Sequence, residues 1–342
     1  MTAGQQMAAE MAEQPAVLAR LADRYAGIAA AVAALVGDGA PVPGVAFLAR
    51  GSSDNAALLG RYAVELAAGL PTCLVAPSLL TSYGREPSGF AGWLVVALSQ
   101  SGRTPEIVDL AGRFAAAGAR VVAVTNDEAS DLARAAAVTV PLGAGAEVAV
   151  PATKTVTAQM LALLAVAGGV GGTPLAPDLA ALPDRVAAVL DDTAGVDRAA
   201  ELLAPHRRLA VVGRGLVYAA ARETALKLQE TTGVMAQGFS SADFRHGPIA
   251  VCGPEAPAVL LAGGGPADAD TRGLRELLAA RGAASVLVGS APGDDVAWAA
   301  ADGATDCLLA TVRGQQLALA LCRRLGIDPD HPAGLNKVTL TH

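Results

Sequence analysis

Four ionisable side chains between Glu223 and His246 have the types and spacing needed to move a proton. Glu223, Lys227 and Glu230 stand four and three residues apart, so on a helix all three project from one face. The stretch reads as that helix, a turn at Gly233 and then a polar loop. His246 sits directly before Gly247-Pro248, a pair that ends a helix and fixes the ring on a rigid turn. Two carboxylates, an ammonium and an imidazole are the groups of a general acid–base site. An exposed ion-paired helix followed by a loop histidine would show the same residues, and the stretch alone does not separate the two.

A second set of polar residues lies earlier in the chain. Ser52 and Ser53 follow the apolar run Val45 to Ala49, and Ser99, Gln100, Ser101 and Thr104 follow Leu94 to Leu98. In an open parallel sheet, ligands bind beyond the carboxyl ends of the strands. Hydroxyls, glycines and a helix N-terminus there suit a phosphate dianion. Simple N-capping explains one such loop, but two on separate strands of one sheet point to a shared anion. Neither G-x-x-x-x-G-K-[ST] nor G-x-G-x-x-G follows a strand, which argues against nucleoside triphosphates and dinucleotides. A third polar stretch runs from Glu147 to Gln159. Within it Lys154 opposes the dipole of the helix it opens, so it needs either an ion pair, with Glu147 as a candidate, or an anionic sugar.

These residues need a scaffold, and the composition supplies one. Apolar residues make up 53% of 342, aromatics only 3%, which suits strands covered on both faces by helices. Short apolar runs alternate with helical segments through the first half: strands at Val45, Cys73, Leu94, Val121 and Ala137, and helices from Ala56, Ile107 and Thr155. An amphipathic helical segment occupies residues 7–37 before them. The pattern then recurs. Leu209 to Gly215 echoes Val45 to Gly51, Pro257 to Ala262 echoes the third strand, and Ser285 to Gly289 echoes Val121 to Thr125, each about 164 residues on. Asp306 to Ala310 reads as the fifth strand of the repeat, and Gly314 to Leu325 as the helix after it.

The expected fold is α/β, with two tandem doubly wound, flavodoxin-like parallel-sheet domains related by internal duplication. The boundaries read as a helical segment at 1–40, a phosphate-binding domain at 41–170, a linker at 171–207, a proton-transfer domain at 208–327 and a tail at 328–342.

Net charge of −7 argues against a nucleic-acid partner. Cys73, Cys252, Cys307 and Cys322 lack C-x-x-C spacing and read as reduced thiols rather than metal ligands, and no metal or other cofactor is expected. The start of the chain lacks a signal-peptide pattern, and the run Met160 to Val170 is short for a membrane span, so a cytoplasmic location without a membrane partner is expected.

Eight segments in order resemble the sugar-isomerase (SIS) family with two SIS domains: Met7 to Pro15, Ala49 to Ser53, Ser99 to Thr104, Glu147 to Thr155, Gly213 to Gly215, Glu223 to Glu230, His246 to Pro248 and Asp328 to Thr339. The chain is similar in particular to the isomerase half of the glutamine–fructose-6-phosphate aminotransferases and to stand-alone amino-sugar-phosphate deaminases and isomerases. The resemblance implies that Ser53, Ser99, Gln100, Ser101 and Thr104 hold a sugar 6-phosphate, beside Ser52, with Val150 and Ala152 on the sugar. It implies that Glu230 shuttles a proton between C1 and C2, accompanied by Glu223 and Lys227. It further implies that His246 opens the ring from the partner subunit of a homodimer, and that Lys337 forms a Schiff base or closes over the sugar. Arg103 stands where that pattern has Glu, Asp54 where an aromatic is usual, Gln237 where a carboxylate is usual, and Asp243 shortens another. The glutaminase domain of those aminotransferases is not represented in this sequence, so ammonia from glutamine is not expected.

Three readings follow. One is a deaminase–isomerase taking glucosamine 6-phosphate to fructose 6-phosphate and ammonia. Another is a lyase that removes the C2 proton of an N-acetylated substrate and expels the C3 hydroxyl. The third is a non-catalytic sugar-phosphate sensor, which would have no need for Glu230, His246 and Lys337.

Overall fold

The computed structural model describes residues 3–332 and 334–337. Among the described residues, ten strands form two five-stranded sheets. The first holds β1 (Val45–Leu48), β2 (Thr72–Leu74), β3 (Leu94–Leu98), β4 (Arg120–Thr125) and β5 (Val138–Pro141). The second holds β6 (Arg208–Gly213), β7 (Met235–Ser240), β8 (Ala258–Ala262), β9 (Ser285–Gly289) and β10 (Val296–Ala297). The spatial orders are β2-β1-β3-β4-β5 and, read from the corresponding edge, β7-β6-β8-β9-β10. Both are the flavodoxin order, and every paired strand in them runs parallel. The expected duplication is therefore present in the topology as well as in the text. All residues of β1, β3 and β8 are buried, as required of strands covered on both faces.

The chain divides into two compact units. One contains residues 17–147 and 158–177. Its core on one side of the sheet gathers Leu110, Phe114, Val95 and Val121, with Phe90 set edge-on to Phe114 at 5.0 Å between ring centroids. The other contains described residues 3–16, 148–157, 178–332 and 334–337, with a core of Val212, Leu260, Phe244, Leu274 and Leu278. Lys154–Gly171 is long and apolar enough to cross a membrane by composition, but 89% of it is buried within the protein, as in a core helix.

Two expected elements differ. Asp306 to Ala310 is not a strand: helix Ala304–Leu325 runs through it, and the fifth strand of the copy is the two-residue β10 just upstream. A short apolar run fits a buried helix as well as a buried strand, and here the run lies in a helix that stays buried from Ala304 to Leu319. The polar loop expected after Gly233 contains β7, an edge strand whose mixed burial hid its period. Helix Ser52–Ala68 also starts four residues before the expected Ala56, which places Ser52 and Ser53 in its first turn.

Candidate active site

In the first unit, two strand ends present the hydroxyls. Gly51, at φ 59°, turns the chain out of β1 into helix Ser52–Ala68. Nothing intrahelical satisfies the first backbone N–H groups of a helix, so Ser52 and Ser53 sit where an anion is favoured. The Ser53 hydroxyl accepts a hydrogen bond from Gln159 Nε2 at 2.9 Å. After β3, Ser99 is buried and its hydroxyl lies 3.1 Å from that of Thr104. Gly102, at φ 63°, makes the turn between them, and a Cβ there would stand 2.1 Å from Ser130 Oγ. The Gln100 carbonyl accepts from Asn126 N at 3.0 Å, and Arg103 N donates to Ser101 Oγ at 3.3 Å. Thr104 then leads into helix Pro105–Ala116, whose proline at the first position suits a helix start.

One ion pair ties these two loops. Arg50, the last residue before Gly51, reaches Glu106 in the first turn after Thr104 through two parallel bonds of 2.8 and 2.9 Å. Glu106 is almost fully buried, and the Arg50 pKa is raised by its bond to Glu106. The pairing is bidentate, the geometry that fixes an arginine most firmly. The pairing is not visible in sequence, because the partners are far apart in the chain and neither looks unusual alone.

In the second unit, helix Val217–Thr232 carries the carboxylate cluster. Lys227 and Glu223 are each 1% exposed, with Nζ 3.4 Å from Glu223 Oε1. Lys227 Nζ also donates to Glu230 Oε2, and the Glu230 side chain keeps 23% of its surface exposed. The one-face arrangement expected from the spacing is thus present, and it is a buried ion pair ending in an accessible carboxylate. Gly314 on helix Ala304–Leu325 permits close approach here, since a Cβ would meet Thr224 Oγ1 at 2.0 Å. His246 is the exposed C-cap of the short helix Ser241–Arg245, and Gly247 follows at φ 152°.

The N-terminal motif explains how the third polar stretch is held. Met7 and Met11 on helix Gln5–Ala12 pack with Ala149 and Leu319. Glu10, between them, accepts the backbone N–H groups of Val148 and Ala149. Glu13 pairs with the buried Lys154 at 2.6 Å, and this, rather than a bond from Glu147, is the ion pair seen for Lys154. Gln14 accepts from Thr157 Oγ1 at 2.9 Å and donates to Gln315 Oε1 at 2.9 Å. The segment bearing Val150 and Ala152 is thereby fixed from helix Gln5–Ala12, its C-cap Glu13 and the first residue of the next helix, Gln14–Gly37.

The tail meets the same segment. Asp330 accepts the N–H groups of Gln6 and Met7 at 2.9 and 2.8 Å, and Lys337 Nζ donates to the Ala149 carbonyl at 2.7 Å. Lys337 is therefore bonded to the carbonyl just before Val150. Ala333, Val338 and Thr339 of that motif, with the rest of the expected tail to residue 342, lie outside the described residues.

The SIS-domain family profile matches residues 43–168 and again 202–320. The chain belongs to the SIS family. Two copies of the SIS domain account for the repeated sheet order. A glutamine–fructose-6-phosphate aminotransferase of Methanothermobacter thermautotrophicus is 30% identical to this SIS protein over 304 residues, 86% of this chain and 51% of the relative. One from Symbiobacterium thermophilum is 37% identical over 228 residues, 64% of this chain and 37% of the relative. The chain spans about half the length, or less, of these curated relatives. Among solved structures, a Silicibacter pomeroyi protein assigned as a phosphosugar isomerase superposes with a TM-score of 0.83 at 32% identity, covering 95% of this chain and 99% of its own. A glucosamine-6-phosphate deaminase from Thermotoga maritima has the same fold, with a TM-score of 0.74 at 21% identity over 95% of this chain and 100% of its own.

Proposed function

We propose that this SIS protein is an amino-sugar 6-phosphate deaminase and isomerase, converting glucosamine 6-phosphate and water to fructose 6-phosphate and ammonia. The observation that carries the reading is the Glu223–Lys227–Glu230 arrangement. A buried ammonium holds an accessible carboxylate, which is what a base working on a carbon acid needs. A surface ion-pair ladder would expose all three groups, whereas here two are sealed from water.

On this reading His246 protonates the ring oxygen and so opens the hemiacetal. Glu230 takes the proton from C2, next to the C1 aldehyde, and returns one to C1. The C2 amine leaves as ammonia after that transfer turns it into an imine, which water hydrolyses to the ketone. Lys337, held over the Val148–Ala152 segment, contacts the open-chain sugar. Recognition of the 6-phosphate is assigned to Ser52, Ser53, Ser99, Gln100, Ser101 and Thr104, neutral donors suited to a dianion. The aminotransferase relatives are named for fructose 6-phosphate, the product of the proposed reaction, and the deaminase of like fold is named for its substrate, glucosamine 6-phosphate, which supports that substrate class. His246 is exposed on its own chain, in keeping with a homodimer in which it serves the neighbouring subunit.

Incubation with glucosamine 6-phosphate tests the reading: ammonia and fructose 6-phosphate are expected in equal amounts. An unsaturated product from N-acetylglucosamine 6-phosphate, without ammonia from the free amine, would replace it with the lyase. Binding without any turnover would replace it with the sensor.

A further inference from the structure

The two copies keep one ion pair in register. Arg50 follows β1 and reaches Glu106 on the helix after β3; Arg214 follows β6 and reaches Asp270 on the short helix Asp268–Arg272 after β8, at 2.6 Å. Each pair spans 56 residues, and the second lies about 164 residues after the first. The loops around the pairs have diverged. Ser99, Gln100 and Ser101 correspond to Gly263, Gly264 and Gly265, and Asp268, at the position of Thr104, accepts the Gly264 N–H at 2.7 Å. The hydroxyls have gone from the second copy and the arginine–carboxylate bridge has stayed.

What the second bridge does is visible in its extra partners. Asp270 Oδ2 also accepts from Ser241 Oγ, and Oδ1 lies 3.3 Å from Arg245 Nε. The Asp270 carbonyl accepts from Arg245 Nη2 at 2.8 Å. Ser241 and Arg245 are the first and last residues of helix Ser241–Arg245, and His246 is its C-cap. A single residue therefore fastens both ends of the element that presents the imidazole. A helix of five residues has little stability of its own, and an exposed ring gains little orientation from packing. The anchoring of that element is what is left to fix the ring. Bonds from Ser241 and Arg214 hold the Asp270 carboxyl below the usual carboxylate range, so its acceptor sites stay open at neutral pH.

We infer that Asp270 is a positioning residue for His246, setting where the imidazole stands by tying both ends of its helix to the end of β6. The inference rests on the acid–base role proposed for His246. It deepens that role by identifying what the second copy made of a bridge that joins two anion-side loops in the first.

The experiment compares wild type, Asp270→Asn, His246→Ala and the double variant. It measures kcat and KM on glucosamine 6-phosphate, and the His246 ring resonances of the free protein by carbon-13 NMR, assigned by their loss in His246→Ala. Asp270→Asn is expected to shift the ring resonances and to lower kcat by roughly 10–100-fold while KM changes less than about threefold. In the His246→Ala background the same change is expected to cost less than about twofold, because a residue acting only through His246 has nothing left to act on. If Asp270→Asn fails to fold, Ser241→Ala removes a single bond and is expected to move the resonances and kcat in the same direction. An equal loss in both backgrounds, or ring resonances unchanged in the variants, overturns the inference. If wild type releases no ammonia, the proposed function falls, and the resonances alone then decide whether Asp270 positions the ring.

Discussion

Replacing Lys227 with methionine keeps an unbranched side chain only one atom shorter and removes the charge, which isolates what the ammonium does. Nζ stands 3.4 Å from Glu223 Oε1 and donates to Glu230, and Lys227 and Glu223 are each 1% exposed. Removing one member of a buried ion pair costs about 3–5 kcal/mol, because the remaining charge loses its compensation. At about 2–4 °C per kcal/mol for a domain of this size, Tm falls by roughly 6–20 °C. Adding Glu223→Gln removes the stranded charge, so the double variant should return to within about 1–2 kcal/mol of wild type. Urea unfolding of wild type, both single variants and the double variant, followed by circular dichroism, measures the coupling. A Lys227→Met loss below about 1 kcal/mol, or a double-variant loss equal to the sum of the singles, would refute mutual compensation in the buried pair.

Gly102→Ala forces a Cβ into Ser130 Oγ at a positive φ, so the Ser99–Thr104 loop must shift. Thermal stabilisation by glucosamine 6-phosphate should then fall at least about tenfold in apparent affinity, and unchanged stabilisation would show that this loop does not hold the phosphate. Burial pushes the Cys307 thiol up to about 12 and the Cys322 thiol up to about 11. At about pH 8 their thiolate fractions are roughly one in ten thousand and one in a thousand, so a disulfide reagent should leave both unmodified until the chain is unfolded. Rapid native modification of either, located by mass spectrometry, would contradict the burial. The lowered pKa of Asp270 in the folded state means its contribution is present above the unfolded value and is lost as pH falls through the lower folded value. Asp270→Asn should therefore flatten the acid limb of the stability–pH curve below about pH 4, and an unchanged slope there would contradict the bonds from Ser241 and Arg214 to Asp270.

Much of this architecture was legible because β1, β3, β4, β8 and β9 are continuous apolar runs followed by turn residues, spaced alike in both halves. β7 was hidden because an edge strand with Met235 and Gln237 exposed has no clean period. Asp306 to Ala310 was misread because four apolar residues carry no information about which regular structure buries them. At the candidate site, the Glu223–Lys227–Glu230 face followed from local spacing, which is why it could be read. Arg50–Glu106, Glu10 on the Val148–Ala149 backbone and Arg214–Asp270 are bonds between residues distant in the chain, set by topology. A carboxylate that caps a remote loop looks the same in sequence as one that faces water.

The most direct test is a paired incubation of wild type and Glu230→Gln with glucosamine 6-phosphate, measuring ammonia, fructose 6-phosphate and equilibrium binding together. Wild type is expected to release both products at equal rates. Glu230→Gln is expected to release neither, while its sugar-phosphate affinity stays within about tenfold, the scale of one lost hydrogen bond. Turnover by Glu230→Gln near the wild-type rate, or tight binding with no ammonia from wild type, would contradict the account.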